Sequence, residues 1–230
     1  MDRVRAIVLP GMHGNALLLK EFQQRAPEHF DVRVHELLDS EWSYDQLLER
    51  MKPLVIDSKP CVLIAESFSG PLIVKLAADL PDVVTHLVLV ATFVTPPTPW
   101  AAKCVPWPLL FRLPMPRSSA EFWMVGRGRS RQFIDHIRDA VGRTPPGTLA
   151  KRMRQTMQVN ATHELSQVRC PVLYIQAKQD RMVPPHCLTA IEEVASAGNV
   201  QLQTEQLDGP HLILQTHPSE AWDAIAGFVS

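Results

Sequence analysis

Six short runs rich in β-branched residues recur along the chain, at 4–9, 32–37, 61–65, 86–91, 172–177 and 200–207. Between them, residues 16–26, 44–56, 71–80 and 187–195 carry apolar side chains at helical spacing, and 219–229 closes the chain in the same way. A strand that reads as a near-continuous apolar run has no polar face to leave in water. Parallel neighbours also need a helical crossover between them. The pattern therefore predicts an α/β fold: a mainly parallel, doubly wound sheet of about six strands, covered by helices on both faces. At 230 residues the chain lies in the range that such folds fill as one domain. Ligand sites in such sheets sit beyond the carboxyl ends of the strands. The places to look are thus just after Leu9, Ala65, Ala91, Ala177 and Leu207.

One region breaks the alternation. From 92 to 168 there is no clear strand; seven prolines fall between Pro96 and Pro116, interleaved with Trp100, Trp107, Leu109, Leu110 and Phe111. Amphipathic pieces follow at 120–125, 131–141 and 148–159. So many large apolar residues argue against a linker and for a helical insertion lying over the sheet end. The expected organisation is a core of 1–94 and 166–230 with a cap of 95–165. Trp100, Trp107, Phe111 and Trp123, with Phe122, either line an apolar pocket under this cap or form its own core.

Charge is distributed unevenly. Residues 95–165 hold 11 Lys and Arg against 4 Asp and Glu, whereas the remainder holds 12 against 20. Arg127, Arg129, Arg131, Arg138, Arg143, Lys151, Arg152 and Arg154 make up most of the excess. Such a cap draws anionic partners toward the cleft mouth, with Arg127, Arg131 and Arg138 as docking residues for an acidic acyl carrier protein or a phosphate-bearing acyl donor. The alternative is a solvated basic helix face.

The four cysteines show no metal spacing, and Cys61 and Cys170 open predicted buried strands, which favours a reduced, intracellular setting. The first apolar run is too short for a signal peptide, and no stretch approaches the roughly 20 apolar residues of a membrane span. The expectation is a soluble, cytoplasmic protein with no metal or cofactor. Neither a P-loop nor G-x-G-x-x-G nor a nucleic-acid module is present.

The strand ends carry the chemistry. After 61–65 comes Glu66-Ser67-Phe68, with small residues Ala65 and Ser69 two positions either side of Ser67. A nucleophile elbow needs that arrangement, because strand and helix must approach closely around a strained serine. The competing reading is a helix cap, with Ser69 capping the helix that starts near Pro71. The first strand runs into Pro10-Gly11-Met12-His13-Gly14, a turn able to present backbone N–H groups to an anion. In an elbow enzyme the oxyanion donors are the N–H after the nucleophile, Phe68, and one from this loop, Met12. Asp180 follows the strand at 172–177 and is either a turn residue or the orienter of an imidazole. His211 stands beside glycine after the strand at 200–207. Ser67, Asp180 and His211 occur in the chain order that elbow hydrolases use: nucleophile, acid, base.

LPGMHG, ESFSG, the segment around QDRMVP and DGPHLILQTHP resemble the α/β-hydrolase superfamily over essentially the whole chain. The likeness is to small bacterial esterases, including the methyl ester esterases that act on pimeloyl carrier protein. The resemblance implies Ser67 as nucleophile, Asp180 as acid, His211 as base, and Met12 and Phe68 as oxyanion donors. It also implies a cap following the superfamily's sixth strand, whereas the chain's start so near its first strand departs from the family's two leading antiparallel strands. The chain departs from the pattern at Pro10-Gly11, where the family has His-Gly, and in an elbow lacking both glycines. The expected activity is hydrolysis of small-molecule acyl esters through an acyl-enzyme. A thioesterase or carbon–carbon hydrolase would use the same triad, and a catalytically silent ligand-binding module is the alternative from another class.

Overall fold

A computed structural model describes residues 3–37, 43–98 and 100–230, without the side chains of Trp100 and Ala101. Six strands, β1 (Val4–Leu9), β2 (Phe30–Val34), β3 (Cys61–Glu66), β4 (Val84–Val90), β5 (Val172–Ala177) and β6 (Leu202–Leu207), form one sheet in the order β2-β1-β3-β4-β5-β6. All five pairings are parallel. The chain moves outward from β1 to β2, then crosses back to place β3 on the other side of β1. That reversal leaves a crevice beyond the ends of β1 and β3, where Leu9 is in register with Ala65.

The strands lie close to their sequence-predicted positions, with shifted ends. β4 stops at Val90 because Ala91 takes a left-handed backbone, φ 44°, and β2 runs from Phe30 to Val34 rather than to Leu37. β3, in the middle of the sheet, is buried at all six positions. β6, at the edge, is not fully buried at any. The apolar residues divide into two layers, one on each sheet face.

The helices in chain order are α1 (Lys20–Gln24), α2 (Tyr44–Asp57), α3 (Gly70–Asp79), α4 (Trp107–Leu110), α5 (Arg117–Ala120), α6 (Arg131–Gly142), α7 (Pro146–Thr156), α8 (Thr162–Ser166), α9 (His186–Gly198), α10 (Ile213–Thr216) and α11 (Pro218–Val229). The predicted helix at 16–26 is instead a 3₁₀ turn, Leu17–Leu19, leading into the short α1. Ser43 starts α2 through a capping box with Gln46. α4 to α7 lie in the strand-free segment between β4 and β5. A small apolar cluster seats α5 and α6 on the core: Ala120, Val125, Ile134, Ile137 and Ala140 pack with Leu18 and Leu212. Leu18 follows the loop after β1, and Leu212 follows His211, so the cap seats on two of the loops that matter most.

Candidate active site

β3 ends at Glu66, and the chain turns at once through the 3₁₀ turn Ser67–Ser69 into α3. Ser67 has φ 55°, the left-handed region that costs a non-glycine residue roughly 1–2 kcal/mol. The Thr92 hydroxyl donates to the Ser67 carbonyl and holds the turn from the end of β4. Ser69 does not cap α3 through its side chain. Its hydroxyl donates instead to the Pro10 carbonyl, tying the elbow to the loop after β1. The tightest approach in the turn falls one residue later, at Gly70, where an added Cβ would come within 2.7 Å of Thr92 Cβ.

The three strand-end residues meet. His211 Nε2 is 3.0 Å from Ser67 Oγ, and His211 Nδ1 is 2.8 Å from Asp180 Oδ2. The other Asp180 oxygen accepts from the Met182 and Val183 N–H groups at 2.7 and 2.9 Å, so its loop fixes the carboxylate before the imidazole does. His211 is buried. Burial alone pulls its pKa down, but the charge and hydrogen bond of Asp180 and the charge of Glu66 outweigh it and raise the pKa. The charged form of the imidazole thereby has a built counter-ion in Asp180.

The loop after β1 lies against the elbow: a Cβ on Gly11 would sit 3.6 Å from Ser67 Cβ, in ordinary van der Waals contact. Beside it, Phe68 is stacked on Tyr44 with ring centroids 4.8 Å apart, and the Tyr44 hydroxyl donates to the Phe68 carbonyl at 2.8 Å. The cap holds the loop at three points. Arg152 donates to Met12 O at 2.7 Å, Thr144 to His13 O at 2.6 Å, and Asn15 Nδ2 to Ala140 O at 2.8 Å. Arg152 also donates to Leu37 O, and its guanidinium lies 5.6 Å from the Phe68 ring centroid. It is almost fully buried, and desolvation lowers its pKa to about 10. Arg152 is thus no part of a solvated basic face. His13 is buried as well; burial, with help from Arg152, lowers its pKa to about 4. It lines a separate cavity rather than the space over Ser67.

Ser67 and Met12 open into a mostly apolar cavity of about 590 Å³. Of the aromatic residues singled out in the sequence, Trp107, Phe111 and Trp123 line it, while the side chain of Trp100 lies outside the described residues. Five of the chain's eight methionines, Met12, Met115, Met124, Met153 and Met182, line it too. Arg181, beside Asp180, donates to Phe122 O at 2.9 Å and lies 4.1 Å over its ring, pinning the cap rim to the acid's loop. Among the basic residues assigned to docking, Arg127 and Arg131 are exposed. Arg138 is engaged within the cap, donating to Met115 O at 2.6 Å and to Asp135 at 2.9 Å.

Sequence reasoning leaves two residues without their role: Glu66, noted beside Ser67, is fully buried and bonded to Gln215 at 2.9 Å, and Arg152 stands among eight basic residues of the cap. A signal for Arg152 was present: it lies three residues after Leu149 and four before Thr156, on one buried helix face. Among the described residues, no group of three or more His, Cys, Asp or Glu side chains is placed to hold a metal ion, no helix is long and apolar enough to cross a membrane, and all four cysteines are free.

No curated protein matches the sequence. Solved structures share the fold at low identity. An enol-lactonase from Burkholderia xenovorans LB400 aligns with TM-score 0.80 at 15% identity, covering 100% of this chain and 92% of that one. A thermophilic esterase from Thermogutta terrifontis aligns with TM-score 0.80 at 17% identity, covering 99% and 90%. A hydrolase from Oleispira antarctica reaches TM-score 0.83 at 12% identity, covering 100% and 92%. The sequence model described as "Alpha/beta hydrolase family" matches residues 2–225. With nearly its whole length matched, and with a serine elbow, acid and histidine at the ends of β3, β5 and β6, the chain belongs to the α/β-hydrolase family.

Proposed function

We propose that the protein is a serine hydrolase of carboxylic esters that works through an acyl-enzyme. One observation carries the reading: Ser67, in a strained turn, is 3.0 Å from an imidazole that is itself 2.8 Å from a fixed carboxylate. In this scheme Ser67 Oγ attacks the ester carbonyl carbon while His211 Nε2 takes its proton. Asp180 fixes the imidazole through Nδ1–H and stabilises the imidazolium. The tetrahedral oxyanion accepts from the backbone N–H groups of Met12 and Phe68. Collapse breaks the carbon–oxygen ester bond, and His211 returns the proton to the leaving alcohol. Water then enters by the same route, and the acid leaves.

The acyl group occupies the cavity lined by Trp107, Phe111 and Trp123. Its volume and apolar lining suit a medium-length chain, and the methionines adapt to more than one shape. The esterase and lactonase among the structural neighbours are consistent with acyl-oxygen cleavage. Arg127 and Arg131, exposed on the cap, are the residues an anionic, carrier-linked acyl ester would meet.

The test is labelling by a fluorophosphonate followed by intact mass, with Ser67→Ala as control. The wild type gains one adduct and the variant none; equal labelling of both would remove Ser67 as nucleophile. A panel of p-nitrophenyl esters, acyl thioesters and carrier-linked methyl esters then ranks the leaving groups, and the oxygen esters are expected to lead.

A further inference from the structure

Glu66 is the charged group beside the nucleophile that acyl transfer, as described, leaves unused. It ends the fully buried strand β3 and is itself shut off from solvent. Oε2 accepts from Gln215 Nε2 at 2.9 Å, the Leu214 N–H also bonds the carboxylate, and Oε1 has no partner. The charges acting on it are His211, on the loop after β6, and Asp180, on the loop after β5. A buried carboxylate without a fixed cation loses more in desolvation than two hydrogen bonds return. A glutamine would fit the same space and bond the same donor at lower cost. Of the two charges, only His211 is able to turn positive, and in turnover it does so while holding the Ser67 proton.

We infer that Glu66 is a positioning residue for the base: it clamps the α10 turn three and four residues after His211 and supplies, besides Asp180, a second negative charge for the imidazolium. The inference rests on the serine-hydrolase reading of the site. The electrostatics agree with the geometry. Burial raises the Glu66 carboxyl to about 7, against the pull of His211, Gln215 and Leu214 and with a small push from Asp180. Glu66 in turn is one of the charges that raise His211. Removing its charge lowers the pKa of His211, so the acid limb of activity moves to lower pH. The imidazolium also loses stabilisation, so the plateau rate falls. Losing a mechanical clamp alone would reduce the rate and leave the limb in place.

Glu66→Gln, nearly isosteric, is the test, with two readouts. The first is the titration of His211 followed by ¹⁵N NMR without substrate, where the midpoint is expected to fall by roughly half a unit or more. The second is the pH profile of fluorophosphonate inactivation, with a plateau roughly tenfold slower than wild type. A folded Glu66→Gln protein that still labels at Ser67 but titrates His211 at the wild-type midpoint overturns the inference. A wild type that never labels overturns the serine-hydrolase reading instead. If the variant does not fold, ¹³C-glutamate labelling of the wild type decides. One glutamate carboxyl is expected to titrate near 7 with a matching inflection in the His211 resonances; a His211 titration that carries no inflection from any glutamate sinks the proposal.

Discussion

Ser67 keeps a backbone conformation that its Cβ opposes. At φ 55° the side chain crowds the following carbonyl, and the strain persists because the surroundings fix the turn. The Thr92 hydroxyl holds the Ser67 carbonyl, Ser69 holds Pro10, and the space a Cβ at Gly70 would need is filled by Thr92. Two substitutions separate the strain from the chemistry. Ser67→Ala and Ser67→Gly both remove the hydroxyl proposed to attack, but alanine keeps the opposing Cβ while glycine discards it. The left-handed penalty of roughly 1–2 kcal/mol exceeds the extra chain entropy that glycine loses on folding, roughly 0.5–1 kcal/mol. Ser67→Gly is therefore expected to be the more stable of the two, by roughly 0.5–1 kcal/mol in urea unfolding. An alanine variant as stable as the glycine one would mean that the elbow stores no strain.

At the scale of elements, the cap grips the loop after β1 as well as roofing the cavity. Arg152 on α7 reaches carbonyls 140 and 115 residues away in sequence, at Met12 and Leu37. Arg152→Met leaves those acceptors unpaired, at about 1–3 kcal/mol each, but also removes a buried guanidinium that had lost its hydration. The net expectation is a loss of roughly 2 kcal/mol in unfolding experiments and at least a tenfold fall in kcat/KM as the Met12 backbone loosens. Arg152→Lys, still cationic, restores part of the rate. Lost stability with an unchanged rate would assign the contact to folding alone. The same residue marks where sequence reading stops. Ser67, Asp180 and His211 were legible because a parallel sheet puts all its strand ends on one edge, a local property of each run. Arg152, and the tie from Glu66 to Gln215, depend on partners that only the tertiary fold supplies. Ser69 fails as a predicted cap for the same reason, since Pro10 O, 59 residues distant, takes its hydroxyl. The cap helices were placed by their amphipathic spacing, with α7 running Pro146–Thr156 where 148–159 was expected.

For the whole molecule, two buried groups shape stability against pH with opposite signs. His13 titrates at about 4 when folded and near 6.5 when unfolded. Below 6.5 the unfolded chain takes up a proton that the folded chain refuses, so this group destabilises the fold as pH falls, until about 4. Glu66 is shifted upward, to about 7 from the usual 4.5. Above 4.5 the unfolded chain releases a proton that the folded chain keeps, so this group destabilises the fold as pH rises, until about 7. Between 4.5 and 6.5 both act, and their slopes oppose and nearly cancel. Either slope by itself amounts to about 3 kcal/mol across that two-unit window. Relative to wild type, His13→Asn is expected to gain stability as pH falls from 6.5 to 4.5, because only the Glu66 slope survives. Glu66→Gln is expected to lose stability over the same fall, because only the His13 slope survives. Every other titrating group is shared by the three proteins and drops out, except that Glu66→Gln also lowers the His211 pKa, which adds to the same loss on the acid side. Urea unfolding at half-unit steps of pH measures the divergence directly. Three parallel curves would mean that neither group is held away from its solution behaviour.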